Sequence, residues 1–305
     1  NRLRNIPKLD DANNAGTKKS DDCTLILTEG DSAKTMAISG LSVIGRDNYG
    51  VFPLKGKVLN VKDASQKQIM DNMEITNLIK ILGLVQGKEY KNTKSLRYGK
   101  VMILADQDHD GSHIKGLVLN VFHTLWPSLL KSGYVVSMLT PIVKVNKGKN
   151  IHSFYNLTDY EEWKSNTSDI KKWQTKYYKG LGTSTAVESR EYFKNMKIND
   201  YTWTENSEDS MNLAFKKDLS DKRKEWLYGY DKSNIIDGKD TTIPIEKFVD
   251  NELIHFSNSD TCRSIGSICD GLKPSQRKIL YCAFKRKLYS EIRVAQLAGY
   301  VSENA

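Results

Sequence analysis

Lys100-Val101-Met102-Ile103-Leu104-Ala105-Asp106-Gln107-Asp108-His109-Asp110-Gly111 is the stretch on which the fold turns. An apolar run of strand length ends in carboxylates at every second position. A helical stripe then begins, with Ile114, Leu117, Val118, Val121, Phe122, Leu125 and Leu129 at steps of three and four. Strand, acidic turn and helix therefore succeed one another. The same order occurs upstream: Thr24 to Thr28 is a short β-favouring run, Glu29-Gly30-Asp31-Ser32 closes it, and Ala33 to Leu41 takes a helical pattern with Asp31 or Ser32 as N-cap. Between the two units, Ile69, Met73, Ile75, Leu78, Ile79 and Leu82 predict one helix ending at Gly83. Tyr134 to Val145 predicts a further strand. The alternation specifies an α/β domain over 22–145, with a largely parallel sheet flanked by helices.

Either side of that domain the character changes. Residues 1–21 are polar and rich in Gly, Asn and Lys, and read as a linker or arm. The 146–250 stretch reads as a mixed insert and connecting segment, with a helix over 184–195, a loop over 199–210 and a solvated helix around Asp221 to Trp226. From 251 the pattern is helical again, with Pro274 at a first-turn position.

Of 305 residues 39% are apolar and 27% charged, a globular composition. No apolar run approaches the roughly 20 residues that cross a bilayer, and the first residues lack the apolar region of a signal peptide. The formal net charge of +9 favours a polyanionic partner, nucleic acid first. Cys23, Cys262, Cys269 and Cys282 form no C-x-x-C pair, so neither zinc nor a disulfide framework is expected.

Asp106, Asp108 and Asp110 crowd like charges at a strand end, where a hard divalent cation relieves the repulsion. An EF-hand loop would need Glu at its twelfth position and has Leu117 there. A haloacid-dehalogenase-type reading fits Asp108-His109-Asp110-Gly111-Ser112 but leaves Glu29 unexplained. If the two strands are parallel neighbours, Glu29 and Asp106 converge. Such a carboxylate set can hold two cations and serve an in-line phosphoryl displacement.

Thr28-Glu29-Gly30-Asp31-Ser32 together with the Asp106, Asp108, Asp110 triad resembles the Toprim domain. Longer strings narrow the likeness: Pro53 to Val61 (PLKGKVLNV), Ala105 to Gly116 (ADQDHDGSHIKG), Tyr177 to Thr183 (YYKGLGT) and Gly271 to Lys278 (GLKPSQRK) resemble the eukaryotic-type DNA topoisomerase II family, across nearly the whole chain. The resemblance implies a Rossmann-like Toprim core over 22–145 and an associated insert over 146–250. It also implies the beginning of an α-rich winged-helix domain over 251–305, with the 1–21 arm leading from an ATPase region.

Roles for individual residues are implied by the same likeness. Glu29 and Asp106 would hold a catalytic Mg²⁺, Asp106 and Asp108 a second, with Asp110 at the edge and Mn²⁺ or Ca²⁺ as substitutes; Glu29 would also be the candidate for proton transfer. Lys57 and Asn60, with Lys55 beside them, match duplex DNA contacts, as do Arg223, Lys224 and Lys273. Without the resemblance, the Arg223-Lys224 run reads as a solvated helix face. Residues 256–305 carry eight Lys or Arg against four Asp or Glu, which suits a phosphate-facing element. His109 and His113 flank the acidic site, as phosphate neighbours or as structural histidines.

The family's nucleophilic tyrosine has no counterpart in context among the 15 Tyr residues. The expectation is therefore a segment of a longer, homodimeric, ATP-dependent enzyme, inactive in strand passage by itself. Its expected site is the nucleus in a cellular eukaryote, or the cytoplasm or a viral replication site for a virus. Two alternatives remain: a self-sufficient Toprim nuclease or primase-like enzyme, and a non-enzymatic DNA-binding module.

Overall fold

The apolar run at Lys100 and its upstream counterpart lie side by side. In a computed structural model that describes residues 3 and 5–305, β1 (Thr24–Glu29) pairs in parallel with β3 (Lys100–Leu104) on one flank and β2 (Tyr49–Leu54) on the other. Residues 1, 2 and 4 of the expected arm lie outside the described residues. The sheet continues from β3 to β4 (Val135–Leu139) in parallel, then to β8 (Lys197–Thr202) antiparallel and β9 (Thr242–Pro244), giving the order β2-β1-β3-β4-β8-β9.

Period-two alternation divides the core. Leu25, Leu27, Val101 and Ile103 face α3 (Met73–Leu82) and α4 (His109–Leu125), whereas Ile26, Val51, Met102 and Leu104 face α1 (Gly30–Ile44) and α7 (Ala186–Lys194). Helices on both faces explain why β1 and β3 are apolar on both sides. Pro53 lies in β2, the edge strand, where a missing N–H is tolerated.

Several local expectations change. The helix predicted through Leu82 is two helices, α2 (Gln66–Asp71) and α3, because Asn72 leaves helical geometry and its side chain accepts from the Ile75 N–H at 3.0 Å, capping the second. Gly83 ends α3 in the left-handed region, as its position required. The helix after Glu29 begins at Gly30, with Glu29 itself at the cap position, so neither Asp31 nor Ser32 caps it. The strand expected over Tyr134 to Val145 breaks at Thr140-Pro141. Its second half, β5 (Val143–Lys147), joins β6 (Asn150–Phe154) and β7 (Gln174–Tyr177) in a separate antiparallel sheet.

With α6 (Leu157–Asn166), that small sheet encloses its own core of Val143, Val145, Phe154 and Tyr160. The loop expected over 199–210 is instead most of β8 and the start of α8 (Ser207–Phe215): Tyr201 is buried and its hydroxyl meets Ser137 Oγ at 2.9 Å, so polar alternation here marks an inner strand face. The solvated helix is α9 (Ser220–Tyr228), with no buried residue. After α10 (Ile245–Phe248) and a π-helical turn, the chain runs into α11 (Ile254–Ser264), α12 (Pro274–Lys285), with Pro274 in its first turn, and α13 (Val294–Asn304).

The segment preceding β1 lies on the sheet edge. Asp10 and Val51 exchange backbone hydrogen bonds, and Ala12 and Ala15 are buried. Among the described residues no helix is long and apolar enough to cross a membrane.

Candidate functional site

The connection after β1 leads to β2 and that after β3 to β4, so the chain departs in opposite directions from two adjacent parallel strands. Open α/β sheets place their ligands at the carboxyl end of such a switch point. Glu29 and Asp106 sit there. The Asp106 backbone N–H donates to Glu29 Oε2 at 3.1 Å, and Asp106 Oδ1 accepts from the Leu181 N–H at 2.8 Å. Neither carboxylate has a cationic side-chain partner among the described residues. Burial pushes both carboxyls above their ordinary pKa, opposed by the N–H each accepts; the charges of Asp106, Asp108 and Asp110 add to the rise at Glu29, and that of Asp108 to the rise at Asp106.

The other two acids are engaged differently. Asp108 is exposed and caps α4, its Oδ1 accepting from the Gly111 N–H at 2.8 Å. Asp110 is clamped: Arg263 Nη1 and Nη2 donate to its two oxygens at 2.8 and 3.0 Å, and Lys57 Nζ lies 2.8 Å away. The Arg263 guanidinium, with Lys57 behind it, holds that carboxyl well below the usual range despite partial burial. Among the described residues no set of three His, Cys, Asp or Glu side chains is gathered to hold a metal ion. The uncompensated pair Glu29 and Asp106 is nevertheless a donor set that fits a hard cation.

Of the expected DNA contacts, Lys57 lies beside this cluster, over the Phe256 ring at 4.8 Å. Asn60 is tied into the fold, donating to the Phe215 carbonyl at 2.9 Å and accepting from Asn120 at 2.8 Å. Arg223 binds the Leu213 and Lys216 carbonyls at 3.0 and 2.5 Å, which fastens α9 to the end of α8. Lys224 is exposed and pairs with Asp221 at 2.7 Å, and Lys273 is exposed just before α12. The structure thus brings Lys57 to the acidic cluster and leaves Arg223, Lys224 and Lys273 on other elements. His113 stacks on Phe256 at 3.8 Å, and burial, with Lys57 nearby, pushes its pKa down to about 4, so it is a neutral packing histidine at pH 7.

Two residues close to the site carried no expected role from sequence. Gly180 approaches Asp106 so closely that an added Cβ would strike its Oδ2. The signal was the Lys179-Gly180-Leu181-Gly182 run, whose glycines permit close backbone approach. Arg263 left no signal: its partner lies 153 residues away.

The parallel sheet with Glu29 and Asp106 at its switch point lies in the stretch that matches the Toprim domain. The Toprim domain model matches residues 24–139, the C-terminal associated domain of Toprim 138–261, and the DNA gyrase/topoisomerase IV model 263–304. DNA topoisomerase 2-alpha of Homo sapiens is 54% identical over 321 residues, covering 99% of this chain and 21% of that protein, and DNA topoisomerase 2 of Plasmodium falciparum is 52% identical over 309 residues, covering 100% and 22%. The crystal structure of the Plasmodium falciparum topoisomerase II DNA-binding, cleavage and re-ligation domain superposes with a TM-score of 0.89 at 52% identity, covering 100% of this chain and 42% of that one. The chain belongs to the eukaryotic-type DNA topoisomerase II family and spans about a fifth of the length of these curated relatives.

Proposed function

We propose that this chain is the metal- and duplex-DNA-binding part of an enzyme that cleaves and rejoins DNA through a tyrosyl-phosphate link, passing a second duplex in an ATP-dependent, homodimeric cycle. The observation that carries the reading is the Glu29 and Asp106 pair, two half-buried carboxylates at the switch point with no cationic side-chain partner among the described residues. Glu29 and Asp106 would hold Mg²⁺, with Asp108 contributing once its cap on α4 is given up. The ion, when bound, would supply positive charge to the oxygens of the scissile phosphate. Lys57 and Arg263 lie on the rim and offer cationic donors to the flanking phosphates. Glu29, whose carboxyl is raised above its ordinary pKa by burial, would be the group to move a proton during rejoining. Lys273 and Lys224 would extend the basic track, and the nucleus of a cellular eukaryote is the expected setting.

Tyr178, two residues before the Gly180 backbone that approaches Asp106, is not free to attack. The Tyr178 hydroxyl donates to Glu188 Oε1, and burial followed by that carboxylate pushes its pKa far up. The chain incubated with supercoiled plasmid and Mg²⁺, then trapped with denaturant, should therefore bind DNA and give no protein-linked nick. A nick without a protein link would replace this reading with a hydrolytic Toprim nuclease. A protein-linked nick would mean that Tyr178 or another of the chain's tyrosines is the nucleophile.

A further inference from the structure

Beside the acidic cluster, with Asp108 in its wall, lies a cavity of about 330 Å³. Its walls come from the start of α4, the start of α6, the 230–238 loop and the π-helical turn leading into α11. The volume falls within the range of small-molecule sites, which are mostly apolar with a few convergent polar groups. Here Ile142, Leu157 and Ile236 supply apolar surface, and Tyr155, Tyr230 and His255 bring rings. Lys115, 2% exposed, lines the wall but is committed to Glu252 at 2.9 Å.

Two wall residues are not committed. Gln107 Nε2 and Asn199 Oδ1 are buried without a hydrogen-bond partner, and Asn199 is only 3% exposed. Buried polar atoms are almost always partnered, because an orphan retains its full desolvation cost. One orphan is a donor and the other an acceptor. The last torsion of each amide is soft, so either end can be turned toward the cavity. A neutral, flat ring with a carbonyl beside an N–H answers both groups at once. Lys115 and Lys232 face Asp108, Asp237 and Glu252 around the wall, which gives an anion no net attraction.

We propose that this cavity is a binding site for a small neutral heteroaromatic amide, of the lactam or nicotinamide type, held between Gln107 and Asn199 with its ring against the tyrosines. Asp108 lines the wall, but the site uses neither Glu29 nor Asp106 and is tested through Asn199 and Leu157, which the metal reading does not involve.

The test is ligand-observed NMR on the whole chain with 2-pyridone and nicotinamide as probes and toluene as the ring-only control. Fragments of this size commonly bind in roughly the millimolar range. Saturable binding of both amides and not of toluene is expected. Asn199→Ala should weaken it at least tenfold, and so should Leu157→Trp, which fills the mouth from an exposed position. Asn199→Ala should not lower the melting temperature, because no hydrogen bond is lost. Mn²⁺ calorimetry on the same variants should be unchanged. No saturable binding, equal binding by toluene, or undiminished binding by both variants overturns the proposal. So does a fall in melting temperature for Asn199→Ala with binding intact, which would make that amide a structural group.

Discussion

The backbone N–H of Asp106 donates to the side chain of Glu29 at 3.1 Å, so two strand ends 77 residues apart in sequence share one electrostatic environment. A change at either residue is therefore felt at the other.

Glu29→Gln and Asp106→Asn should each abolish most of the Mn²⁺ affinity measured by calorimetry. Retention of wild-type affinity in both variants would place the cation elsewhere. Affinity in the unaltered chain should also fall as the pH is lowered through the raised carboxyl pKa values, since protons then compete for the same oxygens.

The same shifts carry a stability consequence. A carboxyl whose folded pKa lies above its unfolded value stabilises the fold below the unfolded pKa, and that contribution is lost as the pH rises through the folded pKa. Without metal, Glu29→Gln should therefore melt higher than the unaltered chain at pH 7. The two should converge below the ordinary carboxyl pKa of about 4. A lower melting temperature at pH 7 would show that the carboxylate is compensated.

Arg263→Gln should loosen the hold on Asp110, leaving Lys57 as its cationic partner among the described residues. Its carboxyl, followed by NMR, should then titrate at higher pH than in the unaltered chain. A depressed pKa stabilises above the unfolded value and is lost as the pH falls through the folded one, so the variant should lose stability chiefly near neutrality. The less restrained carboxylate should tighten Mn²⁺ binding by roughly 1.5- to 5-fold, the scale of an exposed ion pair of about 0.2–1 kcal/mol. Unaltered Mn²⁺ affinity would remove Asp110 from the cation's surroundings.

Gly180→Ala should lower Mn²⁺ affinity although residue 180 bears no ligating atom, because its Cβ would displace the Asp106 carboxylate. The backbone there is extended and accepts any side chain, so the effect is steric. Wild-type affinity in this variant would mean that Asp106 shifts without cost.

Arg223 and Lys224 should separate. Arg223→Ala removes two bonds to helix-end carbonyls and should cost about 1–3 kcal/mol in denaturant unfolding. Lys224→Ala should leave stability intact and reduce the salt slope of DNA binding by about one. If Arg223→Ala lowers the slope without loss of stability, it is a phosphate contact after all.

Much of the fold was legible in the sequence where the signal was local. The apolar runs before Glu29 and Asp106 marked the parallel strands, and the stripe from Ile114 to Leu129 marked α4. Side-chain competition for backbone was not legible: Asn72 splits a helix by capping, and Asp108 spends its carboxylate on the start of α4 instead of facing Asp106. Nor was β8, whose polar residues face an inner layer only once β4 has brought Ser137 opposite Asn199. The salt bridge of Asp110 to Arg263 depends on α11 folding back across 153 residues, which no spacing reveals.

The small three-stranded sheet leaves the main one at Thr140-Pro141 and its last strand ends at Tyr177, where the Tyr178 N–H donates to the Ile142 carbonyl at 2.9 Å. Three residues later the chain lands on Asp106. The lobe is thus a lever with a narrow fulcrum beside the acidic pair. Its far tip, the turn at Gly148 between β5 and β6, should accept an inserted tag or loop without disturbing the chemistry. A change of one residue in length at the fulcrum would instead pull Leu181 off Asp106.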